Sequence, residues 1–181
     1  ITIYEGTASQ FAVTVPPGII SIRVAAFGTL RGPWVTWTSL DGPAGGESGM
    51  LEPFTALSFL AASTSRIRLG TGICLVPQRN PVYTAKQVAD LDWVSNGRFD
   101  FGVGVGWLAE EFAACGTPFE RRGARTRDYL AAMQALWTQP VSSHRGEFYS
   151  FEPLRQYPKA VQTPHPPIHF GGESDAALRR V

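Results

Sequence analysis

The 181-residue chain has few of the features that mark several protein classes. Its two cysteines, Cys74 and Cys115, are too few for a disulfide framework, and Cys74 lies in an apolar run that predicts a buried thiol. No stretch reaches the roughly 18 to 20 apolar residues of a membrane span. The N-terminus has no charged segment followed by an apolar one, so we expect no signal peptide and a cytoplasmic protein.

Charge of either sign is not in excess, since 16 Lys and Arg balance 15 Asp and Glu to give a formal net charge of +1. The charges are scattered along the chain, which argues against a nucleic-acid partner. The densest run comprises Arg121, Arg122, Arg125 and Arg127. A solvated helix start is the first interpretation of this run, and a contact with phosphate or a partner is the alternative.

Histidine is also scarce, and no two of the three histidines have metal-site spacing, so we expect no metal. We place His144 at the surface and His165 in a loop between prolines. His169 lies in a predicted strand, where it points either to the inner side of the sheet, which is the interior if the sheet closes into a barrel, or to the helix layer; a core histidine is the first interpretation and an active one the alternative.

What the chain does contain is an alternation of short apolar runs with helical patterns. Predicted strands cover residues 11–15, 33–38, 67–76 and 99–107 and the centre of 164–171. Predicted helices cover residues 19–30, 51–61 and 81–93, the last ending at Asn96-Gly97, and two more begin at Thr126 and at Ser174 or Asp175. Five βα units predict an α/β protein with a parallel sheet, either open and doubly wound or closed into a barrel.

Several motifs occur in order between residues 49 and 180, among them RIRLGTGICLVPQRNP, GRFDFGVGVGW, GEFYSFE and PPIHFGGESDAALRR. With these motifs the chain resembles the luciferase-like monooxygenase family. The resemblance implies a TIM-type (β/α)8 barrel as a single domain over 1–181. Such a barrel needs about 250 residues, so strands 1–5 are expected here and the C-terminal strands are missing. Residues 1–48 match poorly and form an atypical N-terminal part.

The resemblance also implies a function. Family members are oxidoreductases that use FMN or the deazaflavin coenzyme F-420 for monooxygenation or hydride transfer on a small organic substrate, and many are homodimers. The motif set resembles the deazaflavin-dependent branch more closely. Two alternatives stay open, a non-catalytic flavin-binding or structural relative and an inactive, truncated barrel.

Active sites of such barrels lie at the C-terminal ends of the strands. By resemblance, the Gly72–Ile73 bond is a non-prolyl cis peptide in a bulge that supports the cofactor ring. Gly104, Val105 and Gly106 are the next predicted cofactor contacts. Gly102, Gly104 and Gly106 alternate along one predicted strand, so their missing side chains make room either for a flat ring or for close packing.

The turn at Gly171, Gly172, Glu173 and Ser174 precedes a predicted helix, so its free N–H groups favour an anion. By resemblance it contacts the cofactor phosphate; plain helix capping is the alternative. In the second strand the chain departs from the family, because Trp37-Thr38 stands where members often have Asp-His. The catalytic residue is therefore unknown from the sequence.

Overall fold

The computed structural model describes residues 51–171 in full and, before them, the backbone of residues 2–5, 9–12 and 34–37. The helices within this part are α1 (Pro53–Ser63), α2 (Pro81–Val94), α3 (Ala109–Ala114) and α4 (Arg122–Thr138). The strands are β1 (Thr2–Glu5), β2 (Ser9–Ala12), β3 (Trp34–Trp37), β4 (Arg68–Thr71), β5 (Cys74–Leu75), β6 (Phe99–Gly104), β7 (Ser142–Arg145), β8 (Ser150–Leu154) and β9 (Ile168–Phe170).

The central sheet is parallel and runs in chain order. β3 pairs with β4. β4 and β5 both pair with β6, one after the other along the same edge, so β4 and β5 together occupy the place of a single strand in the sheet. β9 pairs with β6 on its other edge. Helices α1, α2 and α4 share one apolar cluster with the sheet. Neighbouring strands in chain order, with helices on one face, form part of a (β/α) barrel rather than a doubly wound sheet, which has helices on both faces.

The predicted helices at 51–61 and 81–93 are found as α1, which begins two residues later than predicted, at Pro53, and α2, which begins at Pro81. Each has a proline in its first turn, where the missing N–H costs nothing. The Glu52 carboxylate accepts from Thr55 N at 2.9 Å, and the Asn80 side chain accepts from Val82 N at 3.0 Å. Such a cap contributes about 1 kcal/mol. The predicted stop of α2 is also confirmed, because Asn96 and the glycine after it have φ of 56° and 75°.

The core lies between the helices and one face of β6. The Phe99, Phe101 and Val103 side chains are fully buried on that face, and the Phe101 ring meets Trp137 edge-on at 6.1 Å. Trp137 also donates from Nε1 to the Ala85 carbonyl at 2.9 Å, which ties α4 to α2. Full burial of one such side chain contributes about 1.5 to 3 kcal/mol. The apolar face of α4 packs into this core, with Tyr129 partly buried and these residues buried: Leu130, Met133, Leu136 and Trp137.

The beginning of α4 was predicted wrongly. The helix begins at Arg122, and Thr126 is a buried interior residue whose hydroxyl donates to the Arg122 carbonyl at 2.8 Å. A threonine hydroxyl satisfies an i−4 carbonyl as readily as it caps a helix, so its presence does not mark a start. The prediction that the arginine run is solvated is also wrong for Arg125, which is 6% exposed and donates to the Pro118 carbonyl at 2.5 Å.

Two predicted strands differ in the structure. β2 replaces the strand at 11–15 and pairs antiparallel with β1 in a separate two-stranded sheet, so it is not a strand of the parallel sheet. Three residues connect β1 to β2, which suits a hairpin, whereas a parallel pair needs a long crossover. The single strand predicted at 67–76 is divided into β4 and β5. The predicted helix at 19–30 and the predicted helix that begins at Ser174 or Asp175 lie outside the described residues.

The sequence did not predict α3 or the hairpin formed by β7 and β8. The Asp128 carboxylate of α4 anchors that hairpin, accepting from Phe148 N at 2.7 Å and Tyr149 N at 3.0 Å. The His144 Nε2 atom lies 2.7 Å from the same carboxylate, and its side chain is 15% exposed. His144 therefore lies partly buried in the hairpin rather than fully exposed at the predicted surface position. Within the described residues, no helix is both long and apolar enough to cross a bilayer.

Candidate functional site

The centre of the candidate site is the break between β4 and β5, at the C-terminal edge of the parallel sheet. The Gly72–Ile73 peptide bond is cis, as predicted. Both residues are partly exposed, whereas Thr71 before them and Cys74 after them are buried. The bulge therefore presents one glycine and one apolar side chain at the edge where barrel enzymes bind ligands.

The glycines of β6 lie behind this bulge. Phe99, Phe101 and Val103 face the helices, so Gly102 and Gly104 face the opposite side, the barrel interior. A Cβ atom on Gly102 would lie 1.9 Å from the Thr71 carbonyl oxygen. A Cβ on Gly104 would lie 1.9 Å from Ile73 Cδ1. Of the two predicted explanations for these glycines, close packing is the one that the geometry supports.

Gly106 is not part of the strand, contrary to the prediction that it shares a face with Gly102 and Gly104. β6 ends at Gly104, and Gly106 has a φ of 76°, which favours glycine. Its carbonyl accepts from Arg122 Nε at 2.9 Å, and a Cβ there would lie 2.6 Å from the Phe112 ring. Val105 and Gly106 are partly exposed. Sequence reasoning missed the role of Arg122, since no local pattern links residues 16 apart across a loop.

The fifth predicted strand is confirmed as β9, and it brings Gly171 to the same edge. Gly171 N donates to the Val103 carbonyl at 2.9 Å, so the chain follows β6 to this point. A Cβ on Gly171 would lie 3.1 Å from Ile73 Cγ2. The structure thus brings Gly72, Ile73, Gly104 and Gly171 together. Gly172, Glu173 and Ser174 lie outside the described residues.

The end of β3 adjoins the bulge. Trp37, the last residue of β3, pairs in register with Thr71, which directly precedes Gly72. The residue at this strand end is therefore a tryptophan, with no acid or base group of its own. Thr38 lies outside the described residues.

Below the bulge, a polar cluster occupies the interior face of the sheet. The buried Asp100 carboxylate accepts from Arg68 Nε at 2.6 Å, and His169 Nε2 lies 3.4 Å from its other oxygen. Of the two predicted positions for His169, the structure selects the interior. The ionic pairing of Asp100 explains how a carboxylate is tolerated there. His165 lies in a loop, as predicted, with its ring 5.3 Å from that of Trp137.

A cleft of about 420 Å³ lies at the same edge, between the N-terminal ends of α1 and α2. Its polar lining is internally paired, because Arg79 donates to Glu52 at 3.0 Å and to Gln87 at 3.2 Å. The Cys74 thiol is fully buried, as predicted, and desolvation raises its pKa to about 12, an effect that the nearby Arg79 opposes. Cys74 therefore stays a neutral thiol at physiological pH. Cys115, on the cleft wall, is exposed.

Among residues 51–171, no group of three or more His, Cys, Asp or Glu side chains is arranged to hold a metal ion. The polar atoms at the bulge are mainly backbone groups of glycine residues. Such a surface suits a flat, largely apolar ligand better than an ion.

Comparison with known proteins places this geometry in context. The family model described as luciferase-like monooxygenase matches residues 34–181. An uncharacterized protein of Mycobacterium tuberculosis is 45% identical over 121 residues, which cover 67% of this chain and 43% of that protein. The FMNH2-dependent dimethylsulfone monooxygenase of Pseudomonas putida is 35% identical over 135 residues, which cover 73% of this chain and 37% of the relative.

One solved structure shows the same fold at lower identity. The coenzyme F-420-dependent tetrahydromethanopterin reductase of Methanopyrus kandleri superposes with a TM-score of 0.63 at 24% identity, over 81% of this chain and 43% of the reductase. This chain therefore spans less than half the length of the proteins it matches.

Proposed function

Because this chain belongs to the luciferase-like monooxygenase family, we propose that the protein is a flavin- or deazaflavin-dependent oxidoreductase acting on a small organic substrate. The observation that carries the proposal is the partly exposed Gly72–Ile73 bulge at the C-terminal edge of the sheet. The relative named as FMNH2-dependent supports a flavin.

The residues at the bulge suit the tricyclic ring of such a cofactor. Ile73 offers an apolar surface, and neither it nor Gly72 carries a charge that an aromatic ring would desolvate. Val105 and Gly106 would border the ring from the loop after β6. The Gly171 N–H is already bonded to the Val103 carbonyl, so the residues after it, Gly172, Glu173 and Ser174, would supply backbone N–H groups and a hydroxyl to the phosphate.

When bound, the cofactor supplies the redox chemistry, and the protein supplies its position and surroundings. The chain's own residues would act mainly by shape. Ile73 would hold one face of the ring, and Arg122, through its 2.9 Å bond to the Gly106 carbonyl, would hold the neighbouring loop in place. Two reactions fit the proposal: monooxygenation with FMN and hydride transfer with coenzyme F-420.

Titration of the purified protein with FMN and with coenzyme F-420, followed by fluorescence, tests this proposal. We expect micromolar affinity for one cofactor and at least ten-fold weaker binding of the other, because each has a different tail beyond the phosphate. Riboflavin, which lacks the phosphate, is the matched control for the turn at Gly171. A folded protein that binds neither cofactor would contradict the proposal.

A second candidate function is flavin binding without catalysis. Trp37 at the end of β3, beside the bulge, favours it, because an indole has no proton to exchange near neutral pH. The two functions separate cleanly in one assay. Bound cofactor that is reduced and reoxidised without any organic substrate being consumed would favour the non-catalytic protein.

We also propose that the protein is a homodimer through the outer surface of α1 and α2. Four large apolar side chains are exposed there: Phe59, Tyr83, Trp93 and Val94. Such side chains on neighbouring helices suit a protein interface. Replacing Val94 by lysine is expected to shift the protein from dimer to monomer in sedimentation velocity, whereas Val141→Lys, at an exposed site before β7, leaves the dimer intact. A wild-type monomer at micromolar concentration would refute this assembly.

A cytoplasmic location is part of the same proposal. Both cysteines are free thiols, as is usual for proteins of a reducing compartment. Cell fractionation tests it, and recovery of the protein outside the cytoplasmic fraction would contradict it.

A further inference from the structure

We propose that Gly104 and Gly171 are positioning residues that seat the Ile73 side chain, and that this seat sets how far the bulge projects into the barrel mouth. The inference rests on the proposed function, because the bulge matters only if it supports a cofactor. It assigns to Gly104 a role behind the cofactor surface rather than in contact with the ring.

The seat is formed by three neighbouring strand positions. Ile73 Cδ1 occupies the space in which a Cβ of Gly104 would stand, at 1.9 Å, and its Cγ1 would be 3.0 Å away. On the other edge of β6, the Cγ2 and Cδ1 atoms of Ile73 would lie 3.1 and 3.4 Å from a Cβ of Gly171. The Ile73 side chain therefore packs down onto two glycines, and a third wall is provided by Leu75, 3.4 Å from the same Gly104 position.

The main chain of the bulge is anchored as well. The Thr71 hydroxyl donates to the Gly102 carbonyl at 2.6 Å, and Thr71 is 3% exposed. The Thr71 carbonyl oxygen fills the place of a Gly102 Cβ. Thr71, the residue before the bulge, is therefore hydrogen-bonded to β6 through its hydroxyl and packed against Gly102 through its carbonyl, which opposes a retreat of the bulge toward β6.

The consequence is directional. A methyl group on Gly104 would require Ile73 Cδ1 to move by about 1.5 Å before the two atoms reach ordinary contact distance. Thr71 is bonded to β6 and Leu75 lies beside the Gly104 position, whereas Ile73 is partly exposed, so we expect its side chain to move outward, toward the barrel mouth. Ile73 would then intrude into the space that the cofactor ring needs, although Gly104 is buried and does not reach that space.

The test combines Gly104→Ala, Ile73→Ala and the double variant, each titrated with FMN and with coenzyme F-420. We expect Gly104→Ala to weaken binding at least ten-fold and to change the fluorescence or circular dichroism of the bound cofactor. Removing the Ile73 side chain leaves the added methyl group without its clash. The double variant is therefore expected to bind within about three-fold of Ile73→Ala alone.

Gly171→Ala is a milder variant of the same kind, because its Cβ would lie 3.1 Å from the nearest Ile73 atom, whereas the Cβ of Gly104→Ala would lie at 1.9 Å. It keeps the test valid if Gly104→Ala does not fold. Gly116→Ala is the matched control, since a Cβ there has no atom within 4 Å, and we expect its affinity to be unchanged. Wild-type affinity and spectrum in both Gly104→Ala and Gly171→Ala would overturn the inference, as would additive losses in the double variant.

The failure of the inference differs from the failure of the proposed function. If the wild-type protein binds neither cofactor, the proposed function and the role in positioning a cofactor both fall. If the wild type binds and the seat variants bind equally well, only the inference falls.

Discussion

Replacing Arg98 by methionine is expected to lower the free energy of unfolding by about 3 kcal/mol, because several backbone carbonyls lose a charged donor at once. Arg98 donates from Nη2 to the carbonyls of Ala61 and Thr64, from Nη1 to Ile67 and from Nε to Ser95, at 2.7 to 3.0 Å. Ala61 and Thr64 lie at the end of α1 and Ser95 caps the end of α2, where backbone carbonyls have no partner within the helix. Burial lowers the pKa of the Arg98 guanidinium, which nonetheless stays charged at neutral pH.

Urea denaturation followed by far-UV circular dichroism measures this loss. Arg98→Lys keeps the charge but not the planar fork, so it is expected to recover less than half of the loss. Arg66→Met is the matched control, because Arg66 is exposed, and it should change stability by less than about 0.5 kcal/mol. Equal stability of Arg98→Met and Arg66→Met would show that the carbonyls find other donors, such as water.

Replacing Gly102 by alanine is expected to cost at least about 3 kcal/mol, at the upper end of the usual range for overpacking. The new Cβ would lie 1.9 Å from the Thr71 carbonyl oxygen, a backbone atom that cannot rotate away. Relief would require β4 and β6 to separate and the 2.6 Å bond from the Thr71 hydroxyl to the Gly102 carbonyl to break. Gly104→Ala meets only the end of a side chain and is expected to cost less.

Thermal and urea unfolding of both variants test this order. Gly116→Ala serves as the reference, because its φ of 66° gives a conformational cost of roughly 1 to 2 kcal/mol without a steric one. A Gly102→Ala protein as stable as Gly116→Ala would mean that the two strands part easily at this point. That result would also remove the anchor on which the seat of Ile73 depends.

The two substitutions act at different points of β6, the residue before its start and its centre. Arg98 ties the entrance of the strand to the end of α1, and Gly102 brings its centre against Thr71. Between them, Phe99 and Phe101 are fully buried against the helices. The stability of this strand therefore supports the bulge at the C-terminal edge.

Local rules accounted for much of what the sequence predicted. The start of α2 at Pro81 was predicted from the apolar period and its end from Asn96-Gly97, and both signals depend on groups only a few residues apart in the chain. The cis Gly72–Ile73 bond was predicted only through resemblance. Thr126 was wrongly predicted as a cap because a threonine hydroxyl can either cap a helix or, as here, bond to the carbonyl four residues earlier inside the helix.

Nonlocal contacts account for what was missed. Asp128 and the hairpin residues Phe148 and Tyr149 are 20 and 21 positions apart, and only the folded chain shows that the carboxylate holds both N–H groups. Arg122 likewise reaches the Gly106 carbonyl across a loop and α3. No periodicity or cap signal in the sequence indicates that these distant residues come into contact.

The sequence by itself determined the βα alternation, the family and the position of the bulge, because hydrophobic periodicity, caps and ordered motifs are written along the chain. The tertiary structure alone decided which purpose the glycines serve. Ile73, Gly104 and Gly171 come from three strand positions, and only their packing shows that a side chain fills the space that two glycines leave. A missing side chain has the same appearance in a sequence whether a ligand or a neighbouring residue takes its place.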